Sequence, residues 1–164
     1  HRRELTVAVE HFATALVRGK LIVLLDTLRA RGITQRVLCA GPPGDQHDIG
    51  LLMFAVDAVV QGFEPIYLGT NLPLSELEIA ARETRPALAA TSIVLARDSA
   101  ELRDLLIDMK AAVGATCPLL VGGRGIVGCE ELVFEAGCVT MPASERLADL
   151  LSAGEQKGRK PQRK

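Results

Sequence analysis

The chain has 164 residues, nearly half of them hydrophobic, with a net charge of −1 and five aromatic side chains, Tyr67 and four phenylalanines. That length supports one ordinary domain with a short helical appendage and excludes two full enzyme domains. With so few rings the core must be built from Leu, Val, Ile and Ala, a bias that suits helices packed on a parallel sheet. No apolar run reaches the roughly 18 residues that a membrane span needs, and the charged start HRRE is not followed by a signal-type core. The near-neutral balance hides a basic end: residues 155–164, EQKGRKPQRK, carry five basic side chains and one acid. Residues 154–164 therefore read as a disordered basic tail, unable to bury a face and too short for a nucleic-acid domain. Cys39, Cys117, Cys129 and Cys138 form no C-x-x-C pair, and three lie in apolar runs, which reads as buried, reduced thiols of a cytoplasmic protein. A first residue of His rather than Met points to a fragment or a processed product.

Along the chain, Leu5, Val9, Phe12, Leu16 and Val23 recur at three-and-four spacing and predict an amphipathic helix over residues 2–31, weakened at Gly19 and ended by Gly32. Its stripe must pack on the next domain or on helices outside the chain, so residues 1–32 are assigned as a helical cap. From residue 33 to 153 short β-rich runs alternate with helical ones. The predicted strands are Arg36 to Ala40, Pro65 to Leu68, Ala87 to Val94, Leu119 to Val121 and Cys138 to Met141. Helical patterns lie near 49–61, 74–84, 99–113, 129–135 and 143–153. Five strands, each followed by a helix and joined by right-handed crossovers, define an α/β, flavodoxin-like, doubly wound parallel sheet of order 2-1-3-4-5.

In such a sheet ligands bind beyond the carboxyl ends of the strands, where the winding reverses. After the first strand comes GPPGDQHDIG, Gly41 to Gly50. Its prolines and glycines keep the segment out of regular structure, so His47 can project as a neutral imidazole, a natural transition-metal ligand. Asp45 is placed to accept the other ring N–H, and Ser92, from the third strand, is placed to bond that carboxylate in turn. After the fourth strand Gly122 and Gly123 remove side chains and let a bulky ligand touch the backbone.

The ordered pattern Asp45-x-His47-x-x-Gly50, Ser92-x-Val94 and Gly122-Gly123 resembles the cobalamin-binding domain of methionine synthase, corrinoid methyltransferases and mutases, over roughly residues 34–152. Val94 stands where that family usually has Leu. The resemblance implies that His47 replaces the cofactor's own base as the lower cobalt ligand, and that Asp45 and Ser92 tune it. It also implies that Gly50, Ser92, Val94, Gly122 and Gly123 line a channel for the displaced nucleotide tail. In the cap, V-x-x-E-H-F-A-T-x-x-x-R, from Val7 through Glu10 and His11 to Arg18, resembles the cobalamin-dependent photoreceptors, transcriptional regulators with a MerR-type DNA-binding domain and a four-helix bundle. That likeness implies that Glu10 and His11 contact an adenosyl group above the ring. His1 falls where the family has a histidine that ligates cobalt after light. Nine residues of unbroken helix turn about 900°, so His1 would need a break or a large movement to reach the site.

The function expected from this is a sensor. Adenosylcobalamin binds, light breaks its bond from carbon to cobalt, the state of a homo-oligomer changes, and DNA held by a domain outside this chain is released. No enzymatic turnover is required, and neither a nucleophile–base pair nor a phosphate loop is found. The alternative is a corrinoid methyl carrier, against which Glu10-His11 argues, since a methyl ligand needs only apolar cover. A third reading is a flavodoxin-like response module, or a stand-alone metal site built from Asp45, His47 and Asp48.

Overall fold

The computed structural model describes residues 6–28, 33, 35–140, 147–149 and 151. Helix α1, Val7–Leu28, leads into an alternating unit: β1 Arg36–Ala40, α2 Ile49–Val60, β2 Glu64–Gly69, α3 Leu74–Thr84, β3 Leu88–Ser92, α4 Ser99–Val113, β4 Leu119–Gly122 and α5 Glu130–Glu135. The sheet is parallel with order β2-β1-β3-β4, so the winding reverses between β1 and β3. Pro65 lies on β2, at the sheet edge, where a missing N–H is tolerated.

Four strands are present among the described residues, not the five expected. Of the expected run Cys138 to Met141, the described residues 138–140 form one parallel bridge, in which Val139 accepts from Val121 N (2.8 Å) and donates to Leu119 O (2.9 Å). The bridge sits beside β4, and Met141 lies outside the described residues. Strand β3 also ends earlier than expected, at Ser92 rather than Val94, because the Val94 amide is drawn to a side chain described below.

The period-two side-chain alternation of β1 and β3 divides the core. Val37 and Cys39, Leu88 and Ala90, with Leu120 of β4, join α2 on one face. Leu38, Ala40 and Ala89, with Leu119 and Val121, join α3, α4 and α5 on the other. Helix α2 is apolar nearly all round because it lies between the sheet and α1. Residues 147–149 of the expected last helix are helical; Leu147 is buried beside α2 and its amide donates to Gln61 Oε1 (2.8 Å). Leu151 is helical too; residues 143–146, 150 and 152–153 of that helix, the 154–164 tail and His1 fall outside the described residues.

The cap helix runs unbroken through Gly19. It docks through Leu25, 5% exposed, with Leu21 packed beside it, a burial worth roughly 2 kcal/mol for one leucine. The expected stripe keeps its helical spacing but faces away from the sheet domain: Val9, Phe12, Leu16 and Val23 are all exposed.

Candidate functional site

The segment joining β1 to α2 is held from three sides. Gly44 N donates to Asn71 Oδ1 (2.8 Å) in the turn after β2, where Asn71 adopts a left-handed φ of 53°. Arg97 Nη2 donates to the Pro43 carbonyl (3.2 Å). The third hold is Asp45, fully buried, whose Oδ2 accepts from Val94 N (2.7 Å) and Leu95 N (3.0 Å) while Oδ1 accepts from His47 N (3.1 Å). Burial raises the affinity of this carboxyl for a proton, but the amides of Leu95 and Val94 and the ring and amide of His47 outweigh it and hold the pKa at about 2.

An ionised carboxylate can only accept, so the His47 Nδ1 that lies 2.8 Å from Asp45 Oδ1 carries the ring proton. In the neutral ring the lone pair is thereby placed on Nε2. The ring is about half exposed and borders a cavity of about 590 Å³ between α1 and the end of the sheet. Glu10, His11, Thr14 and Arg18 border the same cavity from the α1 side, and Gly50 and Val94 from the sheet side. Glu10 and His11 thus lie at the edge of the helix face turned toward the domain, opposite the apolar stripe.

Asp48 takes no part in a shared metal centre. It pairs with Arg18 and accepts from Tyr67 Oη, and among the described residues no group of three His, Cys, Asp or Glu side chains could hold an ion. The stand-alone metal site of Asp45, His47 and Asp48 is therefore not formed, whereas a single imidazole ligand to a cobalt already held by its macrocycle needs no such cluster.

A second cavity, about 220 Å³, opens between α2 and the ends of β3 and β4, and Gly50, Ser92, Gly122 and Gly123 line it with apolar neighbours such as Phe54. Gly50 borders both cavities, and a Cβ there would stand 3.2 Å from Ser92 Oγ, so the glycine keeps the space between them open. The two neighbouring glycines differ. At Gly122 an added Cβ would come no nearer than 3.9 Å, to Thr91 O, to any atom beyond its chain neighbours, so its surroundings are roomy. At Gly123, φ is 99° and a Cβ would lie 2.1 Å from the Ile93 carbonyl oxygen, so this glycine is required by the chain's own packing. Ser92 makes no hydrogen bond to Asp45, contrary to expectation. The backbone amides of the next residues but one and two occupy Oδ2, and Ser92 faces the second cavity instead.

Sequence reasoning missed the parts that come from far along the chain: Asn71, Arg97 and Tyr67. Thr14 and Arg18 carried a signal, since with His11 they repeat at intervals of three and four and so share a helix face.

This arrangement is the α/β fold of cobalamin-binding proteins. The structure matches a cobalamin-binding protein from Desulfitobacterium hafniense DCB-2 with a TM-score of 0.57 at 23% identity, covering 93% of this chain and 71% of that one. It matches the monomethylamine corrinoid protein of Methanosarcina barkeri with a TM-score of 0.67 at 16% identity, covering 94% and 73%. By sequence the chain is homologous to two repressors of Myxococcus xanthus. It is 35% identical to the HTH-type transcriptional repressor CarA over 143 residues, which is 87% of this chain and 49% of CarA. It is 31% identical to the HTH-type transcriptional repressor CarH over 119 residues, 73% of this chain and 40% of CarH. The chain thus spans about half the length of the curated relatives it matches. No model of a protein family matches it. No helix among the described residues is long and apolar enough to cross a membrane.

Proposed function

We propose that this chain is the cobalamin-binding, light-sensing part of a cytoplasmic transcriptional regulator, and that His47 Nε2 is the lower ligand to cobalt. The observation that carries this is the imidazole whose Nδ1 is tied to a buried, ionised Asp45, on a residue that lines one cavity with Glu10 and His11. A tautomer fixed in that way presents a lone pair and no proton to the cavity. The homology to two HTH-type repressors favours a regulator over an enzyme, with DNA bound by a domain outside this chain. The cofactor is adenosylcobalamin, which when bound supplies a bond from cobalt to carbon that light breaks.

Each other role belongs to the chain's own residues. Gly50, Ser92, Gly122 and Gly123 border the space for the nucleotide tail, Val94, expected there, lines the cavity beside His47 instead, and Glu10 and His11 supply polar contacts above the ring. His1 is assigned the role of an upper ligand after light. The response is a change in the assembly of a homo-oligomer, begun at the face of α1 that touches the ligand.

The test is an absorption spectrum of the chain with adenosylcobalamin in the dark and after green light, beside His47→Ala. A bound corrin whose spectrum changes irreversibly with light, and whose dark spectrum shifts in the variant, is the expected result. Binding of methylcobalamin in preference, with no light response, would assign a methyl carrier, and no corrin binding by this chain or by a longer one would sink both.

A further inference from the structure

The residue beside the cobalt-ligand candidate is used in an unusual way. Asp48 stands at the N-cap of α2, the position where an aspartate ordinarily accepts from the helix's own free amides, yet its side chain caps nothing. Its carboxylate is turned toward α1, with Arg18 Nε and Nη2 each 2.5 Å from Oδ2. Tyr67 Oη, from edge strand β2, donates to the same oxygen at 3.2 Å. The carboxylate is almost fully buried while the guanidinium is about half exposed, so the acid depends on this cation for its compensation. The apolar hold on α1 is confined to Leu25, its one buried residue, with Leu21 beside it.

We propose that Arg18 and Asp48 form a latch that holds the cap helix closed over the cavity, with Tyr67 fixing the acceptor, and that Arg18 is a positioning residue rather than a ligand contact. Because Asp48 follows His47 directly, the latch joins α1 to the residue next to the imidazole. Movement of the cap is thereby felt at the base of the site. The latch rests on this geometry alone; its consequence for a bound corrin rests on the function proposed above.

The test is amide hydrogen exchange of α1 in the full chain, with and without adenosylcobalamin. Arg18→Met keeps the aliphatic stem and removes the charge. It is expected to speed exchange of the α1 amides roughly fivefold, the scale of one partly screened ion pair, while the sheet amides stay unchanged. Asp48→Asn should do the same, and the double variant should go no further than either alone. Arg18→Lys should restore most of the protection, and Arg103→Ala, which breaks the remote exposed pair with Glu135, should alter nothing in α1. Unchanged α1 exchange in Arg18→Met, additive effects in the double variant, or Arg18→Lys as fast as Arg18→Met would each overturn the latch. Failure of the wild-type chain to bind adenosylcobalamin would remove the functional reading and leave the exchange result in the cofactor-free chain decisive for the latch.

Discussion

Replacing Asp45 by Asn keeps the volume of the side chain and removes its charge, and the structure sets the size of the effect. Four hydrogen bonds converge on the carboxylate, from Val94 N, Leu95 N, His47 N and the His47 ring. They lower its pKa from the ordinary 3.8 to about 2 against the opposing push of burial. The folded value is depressed, so the contribution is fully present above the unfolded pKa near 4 and is lost as pH falls through 2. A shift of this size corresponds to about 2 kcal/mol at neutral pH, with roughly half of it gone by pH 3. The Asn variant also faces three backbone donors and the His47 ring with an amide that accepts through one oxygen only, so its NH2 is set against donors on the other side, which adds a buried unsatisfied donor. Urea unfolding at pH 6 should therefore show Asp45→Asn less stable by about 2 to 4 kcal/mol. The gap to wild type should narrow by about 1 kcal/mol at pH 3. A gap that stays constant from pH 6 to pH 3 would refute the reasoning, because the wild-type carboxylate would then not be held ionised by these donors. In the same variant affinity for adenosylcobalamin should fall by roughly 10- to 100-fold, the usual effect of removing a partner behind a metal-ligating histidine.

The paired glycines after β4 should separate stability from ligand binding. Gly123→Ala forces a Cβ onto the Ile93 carbonyl at positive φ and should cost upwards of about 3 kcal/mol in urea unfolding. Gly122→Ala has room and should stay within about 1 kcal/mol of wild type while weakening cobalamin binding; equal losses in the two would mean that the contacts at Ile93 relax. The thiols should react in order of access: burial pushes Cys39 up to about 12 and Cys138 up to about 11, the latter eased by Lys110. At pH 8 a thiol reagent should label the half-buried Cys129 first and Cys39 only on unfolding, and native-state labelling of Cys39 at the rate of Cys129 would contradict its burial.

Much of the fold was legible because it is written in local periods. The alternation through Val37, Leu38, Cys39 and Ala40 set β1, and the glycines and prolines that follow set the segment carrying His47. The spacing of Asp45 and His47 was enough to suggest their bond, since a two-residue reach is local. What escaped was decided at long range. The end of β3 at Ser92 depends on Asp45, almost fifty residues earlier, capturing the amides of Val94 and Leu95. The fifth strand failed to appear among the described residues because a run of β-rich residues does not show how many of them find a partner, and Val139 alone does. The α1 stripe was read with the right period. Its direction was not in the sequence, because α1 has apolar residues on both sides and the polar set of Glu10, His11, Thr14 and Arg18 faces the cavity.

The two aspartates beside His47 tie the same segment to two different parts of the molecule, as the proposed function of holding a ligand and responding to it requires. Asp45 ties the ring and its backbone to the segment after β3, inside the sheet domain, with no solvent access. Asp48, three residues on, is tied to Arg18 of the cap helix, a partner that is half in water. The first anchor is stiff, because its acceptor is surrounded by backbone donors that cannot move without disturbing the sheet. The second is releasable, because its cation is solvated and sits on a helix with a single buried residue. On the function and the latch proposed above, such a site would keep the lower ligand fixed while the cover over the cavity opens and closes, and the cap would carry a signal without loss of the cofactor's grip.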